Sequence, residues 1–298
     1  THYDYGFRIY NPGIAKFLSV DPLSPSYPWY TPYQFAGNTP VQAIDLDGLE
    51  PSSVVDKEGR LTEPIIKFMN AAFNYKVANL RNTQWTSDED FKWYKDGAID
   101  RFSVTQAFNS GAGAITINDE NVVFNNNWAS SSNKIDWIGL VGHEQSHIAD
   151  YRGLGQMVFY IDYGLDNAEL GYRGAFTEHL AYEREHALVG WLLKNPNLIN
   201  QLNNPFEVLG KDGSGSAEGK RFRYEAGINA DLRHLDYVIG YFQERIKGVR
   251  SLDSRQEMKD QMISVYSGMI LKLHDKKHEL VGERKKIGNE LEGNDKRP

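Results

Sequence analysis

The run VGHEQSHIADY, residues 141–151, sets two histidines four apart with a glutamate directly after the first. On a helix, residues four apart differ by about 40° in direction, so His143 and His147 leave one face, one turn apart. Their imidazoles can then share a metal ion. Glu144 lies about 100° round, close enough to reach a water at that ion without being a ligand. This is the H-E-x-x-H pattern. In it, zinc lowers the pKa of a water towards 7, and the glutamate takes its proton and later passes it to a leaving group. A second pair with the same spacing, His274 and His278 in HDKKH, lacks the glutamate and is crowded by lysines that repel a cation. That pair reads as a solvated helix face.

Such a site needs a third protein ligand, with the fourth position left to water. The chain has no cysteine, so any metal must be held by His, Asp or Glu. The run GAFTEHLAYEREHALVGWLL offers Glu178, His179, Glu183, Glu185 and His186. At helical spacing, Glu178, Ala181, Tyr182, Glu185, Leu188, Val189 and Leu192 form a largely apolar stripe, while His179, Glu183 and His186 share a more polar face. A carboxylate on a buried stripe is costly unless it is paired or bound to metal. Glu178 or Glu185 is therefore the better third ligand, with His179 or Glu183 after them. Tyr182 could donate to a developing oxyanion or simply pack. Asp150, one turn beyond His147, is placed to partner an imidazole.

The elements that must carry these residues follow from periodicity. Residues 113–127 read as two short strands around an Asp-Glu-Asn turn. A helix is expected over about 133–151, broken by Gly153 and Gly155, and another over 175–194. Gly139 stands one turn ahead of His143, where a small residue permits close approach. Upstream, EPIIKFMNAAFNYKVANL has helical spacing, and SDEDFKWYKDGAI is a shorter helical candidate with Ser87 as its cap. Residues 201–223 look loop-like and flexible, and two long helices are expected over 224–247 and 253–286, before a charged tail.

The first fifty residues differ in kind. They hold many aromatics, turn signals and short alternating runs such as FRIY and KFLSV that read as strands. In order, RIYNPGIAKFLSVDPL, YPWYTPYQFAGNTP and DLDGLE resemble the end of the Rhs repeat-associated core. That family builds a β-strand cocoon around a variable C-terminal segment, usually a toxin, and the end of the core is read as an aspartyl autoprotease. The family pattern P-x4-D-P-x-G-L appears as Pro40, Asp45, Leu46, Asp47, Gly48 and Leu49, with Leu46 where proline is usual. The resemblance implies Asp21 and Asp45 as a carboxylate pair, with cleavage after Leu49. Two close carboxylates cannot easily both ionise, which suits an acid and base pair.

The H-E-x-x-H helix, with strands just ahead of it, is also similar to metallopeptidases of the zincin type. Glu178 fits the E-x-x-A-Y run of the glutamate-zincins, and this resemblance implies Glu178 as the third ligand, with Glu185 as the alternative. Gly153 stands where metzincins carry a third histidine. The expected architecture is therefore α+β and mostly helical: an Rhs-core remnant over 1–50, then a zincin-like domain over 51–298. Its catalytic part is expected over about 63–200 and its helical part over about 224–290.

The expected function is a zinc metallopeptidase toxin, cleaving a target-cell protein with Zn2+ on His143, His147 and Glu178 and Glu144 as base. The Rhs resemblance implies secretion into a target cell, a cognate immunity protein and the rest of the Rhs shell as partners. It also suggests that the chain is the C-terminal piece of a longer polypeptide. A strand such as AITIN could bind substrate by β-augmentation. Alternatives are a zinc amidase acting on a cell-wall peptide, or a non-enzymatic binding or pore-forming module with a structural metal. The formal net charge of −7 argues against a nucleic-acid binder, and no apolar run is long enough to span a membrane.

Overall fold

The computed structural model describes residues 2–4, 9–20, 33, 44–45, 51–52, 59–74, 83–88, 101–131, 134–196 and 215–294. Over these the chain is mostly helical with a few short strands, an α+β arrangement. Near the N-terminus, β1 (Tyr3–Asp4), β2 (Ile9–Asn11) and β3 (Lys16–Phe17) form the antiparallel meander that the turn-separated runs predict. Next, β4 (Ile44–Asp45) pairs antiparallel with β5 (Pro51–Ser52). Asp21 and Leu49, expected at the autocleavage step, lie outside the described residues. Asp45 is described only as a strand residue opposite Pro51.

Helix α1 (Glu63–Phe73) begins with a proline in its first turn and ends at Asn74, whose left-handed φ of 49° stops it. Residues 75–80 of the expected longer helix lie outside the described residues. The apolar side chains of α1 at 65, 66, 68, 69, 72 and 73 are all buried, and each of them larger than Ala72 stabilises the fold by roughly 1.5–3 kcal/mol relative to exposure. The strand β6 (Gln84–Ser87) ends at Ser87, which is buried opposite Phe124. The two-residue alternation turns Trp85 and Ser87 inward together. The helix that Ser87 is expected to cap lies, from residue 89 onward, outside the described residues.

After α2 (Arg101–Asn109), the expected hairpin appears as β7 (Ala114–Thr116) and β8 (Asn121–Phe124). The sheet order is β6-β8-β7, with β6 parallel to β8, which leaves β7 at an edge. Asn125 then caps α3 (Asn126–Ser131) by accepting from the backbone N–H groups of Asn127 and Trp128 at 3.0 and 3.4 Å.

The central helix α4 (Lys134–Leu154) passes Gly153 and stops only at Gly155, whose φ is 80°. Its start is pinned by Trp137, which packs edge-on against Trp85 and Phe124. Helix α5 (Gln156–Leu170) follows, then one tight turn over Tyr172–Gly174 and α6 (Phe176–Lys194). Helices α4 and α6 pack closely because Gly139 has no side chain: a Cβ there would stand 2.7 Å from Cγ2 of Val189. The main core joins α1, the β6–β8 strands, α4 and α6.

Helix α7 (Gly215–Phe222) occupies a stretch whose glycines and serines suggest a loop. Gly219 has a packing role instead, since a Cβ would meet the carbonyl oxygen of Phe68 at 2.5 Å. A π-helical turn over Arg223–Gly227 leads into α8 (Ile228–Ser251), and α9 (Gln256–Asn294) returns against it around Leu235, Leu280 and Ile287. Among the described residues, no helix is long and apolar enough to cross a membrane.

Candidate metal centre

His143, Glu144 and His147 come from the middle of α4, where the helix is buried on every side, residues 140–148 included. Glu178 comes from the first turn of α6 and is 2 % exposed. The Nε2 atoms of His143 and His147 are 3.2 Å apart. Glu178 Oε2 lies 3.5 Å from the first, and its Oε1 lies 3.6 Å from the second. A tetrahedral ion with bonds of roughly 2.0–2.1 Å sets its ligands about 3.3 Å apart; the two imidazoles stand at that spacing, and Glu178 turns one oxygen to each of them, so the group could hold one ion. Glu178 Oε2 is buried without a hydrogen-bond donor, a costly state that a cation would relieve. Among the described residues this is the one group of three such donors.

Glu185, the alternative third ligand, lies elsewhere. Seven residues beyond Glu178, it is two turns further along α6 and meets the other face of His143, with Oε2 2.8 Å from Nδ1. A carboxylate there orients the ring and leaves Nε2 free to coordinate. His179 and Glu183 also point away from the ligand group. His179 Nδ1 meets His234 Nδ1 at 3.3 Å, and Glu183 accepts from Arg233 at 2.6 Å. His186 is exposed. The expected pairing of Asp150 with an imidazole is not formed: Asp150 Oδ2 and His147 Nδ1 are both buried without hydrogen-bond partners.

Glu144 is held from the sheet. The hydroxyl of Thr116, the last residue of β7, donates to its Oε2 at 2.6 Å. Burial pushes the Glu144 carboxyl pKa up, with His143 and the Thr116 hydrogen bond pulling against it. The two histidines are split. Burial alone would push His143 down, but the nearby Glu178 and Glu185 carboxylates outweigh it and hold its pKa at about 10. Burial takes His147 down to about 4. The surroundings therefore favour a proton on His143 over one on His147.

Three tyrosines complete the surroundings. Tyr163 of α5 donates to Glu178 Oε1 at 3.1 Å, and the phenol of Tyr172 also supports that carboxylate. The Tyr182 ring stands edge-on to His143 at 4.7 Å, with Arg173 over its other side at 5.3 Å. Burial raises the pKa of Tyr163, Tyr172 and Tyr182, so all three are protonated donors near neutrality. Thr116, Tyr163 and Tyr172 escape a sequence reading. Nothing in the spacing of Thr116 sets it apart from other strand residues, although its place in the strand just ahead of the helix is a usable signal.

No family model matches the chain, and no solved structure matches it. A 46-residue stretch is 44 % identical to part of the Salivary gland surface protein 1 of Aedes aegypti. That stretch is 15 % of this chain and 1 % of the other protein, so the chain spans a small fraction of the relative it matches.

Proposed function

We propose that the chain is a zinc metallopeptidase with a zincin-like arrangement. The observation that carries the proposal is the buried His143, His147 and Glu178 group, which could hold one ion, with Glu144 alongside. Zinc bound there would lower the pKa of a water towards 7 and polarise a carbonyl. His143 and His147 would hold the ion through Nε2, and Glu185 fixes the His143 ring through Nδ1. Glu144 serves as base and then acid; its raised pKa suits both duties. Thr116 keeps Glu144 Oε2 in place. The Tyr182 phenol, beside His143, is the candidate donor to the carbonyl oxygen of the substrate. The β7 edge lies next to Glu144 and suits an extended peptide added as a further strand.

The resemblance of residues 1–50 to an Rhs core supports reading this peptidase as a toxin. In that reading it is secreted into a target cell, cleaves a protein there, and is countered in the producer by an immunity protein. Release after Leu49 through Asp21 and Asp45 belongs to the same proposal.

Two measurements test it. Elemental analysis of purified protein should find about one zinc per chain, and none after His143→Ala. Glu144→Ala should keep the metal but lose both peptide hydrolysis and toxicity in the cytoplasm. Undiminished toxicity in that variant, or no zinc after reconstitution, would end this reading. Toxicity confined to the periplasm would favour a cell-wall amidase instead.

A further inference from the structure

We propose that Asp231 of α8 is a positioning residue for the metal centre, acting through Arg184 to hold α4 and α6 at the separation the three ligands need. The inference rests on the metal-site reading above and gives the C-terminal helices a role in it.

Arg184 lies on α6 between Glu178 and Glu185 and reaches three other helices. Its Nε and Nη2 donate to Asp231 Oδ1 and Oδ2 at 2.8 and 3.4 Å. Its Nη1 donates to the Ser146 hydroxyl at 3.4 Å, and that hydroxyl donates to the carbonyl of Gly142 at 3.2 Å. Ser146 directly precedes His147 and Gly142 directly precedes His143, so the guanidinium grips α4 at the level of both ligands. It also lies over the Phe73 ring of α1, 5.6 Å from its centre.

Asp231 is held in turn. Arg223 Nη1 donates to its Oδ2 at 2.7 Å, and Arg223 forks through Nε and Nη2 onto Glu283 of α9 at 2.9 and 3.1 Å. Arg223 is 1 % exposed. A buried arginine of this kind needs such a cage. The π turn at 223–227 makes the cage possible. In an unbroken α-helix, residues eight apart, as Arg223 and Asp231 are, would point about 80° apart. Absorbing one extra residue in the π turn brings them within about 20° of one face. The turn is marked by the Ile228 N–H reaching back to the carbonyl of Arg223.

The test is zinc affinity, measured on the full chain by competition with a chromophoric chelator, with folding checked by circular dichroism. Asp231→Asn should weaken zinc binding about 10- to 100-fold, the range typical of groups that orient metal ligands. Arg233→Gln is the control. It removes another α6–α8 ion pair, Arg233 with Glu183, that does not reach α4, and it should leave affinity unchanged. An Asp231→Asn protein that folds and binds zinc as the wild type does would overturn the inference while leaving the metal site standing. If that variant does not fold, Glu283→Gln decides at the less buried end of the cage. It should weaken zinc binding a few-fold, and wild-type affinity there would overturn the inference. A wild-type chain that binds no zinc removes the metal reading first and this inference with it.

Discussion

Two clusters of buried charge flank α6, and they are finished to different degrees. Around Arg184, Asp231, Arg223 and Glu283, both oxygens of Asp231 and both oxygens of Glu283 accept hydrogen bonds from guanidinium groups. Around His143, His147 and Glu178, one carboxylate oxygen of Glu178 is buried without a hydrogen-bond donor, and the Nε2 atoms of the two histidines face each other at 3.2 Å. The first cluster is a closed structural joint. The second is a group that could hold a metal ion.

The comparison breaks most decisively on the ligands. His143→Ala should lower zinc affinity by on the order of 10³-fold, since two ligands do not make a structural or catalytic zinc site. The readout is chelator competition. Zinc at a hundred times its dissociation constant should stabilise the wild type by about 2.7 kcal/mol and leave the variant unmoved.

Next in size is Asp231→Ala in metal-free protein. It leaves Arg184 without its carboxylate and Arg223 half-caged, and should cost about 3–5 kcal/mol in urea unfolding. A cost under 1 kcal/mol would show that the joint is not closed as described.

A third test uses pH. The folded pKa of His143 is raised, so the stability it contributes is fully present below the unfolded value of 6.5 and is lost as pH rises through about 10. Metal must displace that proton. Zinc affinity should therefore rise with pH between 6.5 and 8, by up to about tenfold per unit for one proton released. A flat profile would mean that His143 is already neutral in the metal-free protein.

The smallest effect is expected at Thr116→Val, where loss of the hydroxyl on Glu144 should cost about 1–2 kcal/mol. The Thr116 hydrogen bond holds the Glu144 pKa down, so its removal raises that pKa. The acid limb of kcat/KM for peptide hydrolysis should move to higher pH. An unmoved limb would detach Thr116 from the chemistry.

Much of the centre is legible in sequence because helical geometry is local. His143 and His147 need only a four-residue spacing, the cost of a carboxylate on an apolar stripe narrows the third ligand to Glu178 or Glu185, and the E-x-x-A-Y resemblance puts Glu178 first. Glu185 obeys the same rule, yet only the three-dimensional level of α6 against α4 decides which nitrogen of His143 it meets. Helix α5 is missed because its apolar residues do not keep to one face: Phe159 is buried, while Met157, Ile161 and Leu165 are exposed. Its contribution of Tyr163 is missed with it. Gly219 misleads for a physical reason. Glycine serves both flexibility and close packing, and composition alone does not separate the two. The Rhs-like segment offers the autocleavage pair by resemblance alone, since Asp21 and Leu49 lie outside the described residues.

The π turn has a consequence for how this chain can change over generations. Helices elsewhere on a protein surface often gain or lose a residue near an end with little penalty. Here, losing one codon between 223 and 227 would restore regular winding and leave Phe222 and Arg223 facing much as they do, because the π turn already absorbs one extra residue. Gaining one more would turn everything upstream by about 100°. Phe222, which packs edge-on against Phe73 and Trp191, would then leave the core, and Arg223 would swing away from its two acids. The segment is therefore expected to tolerate the loss of a residue better than the gain of one.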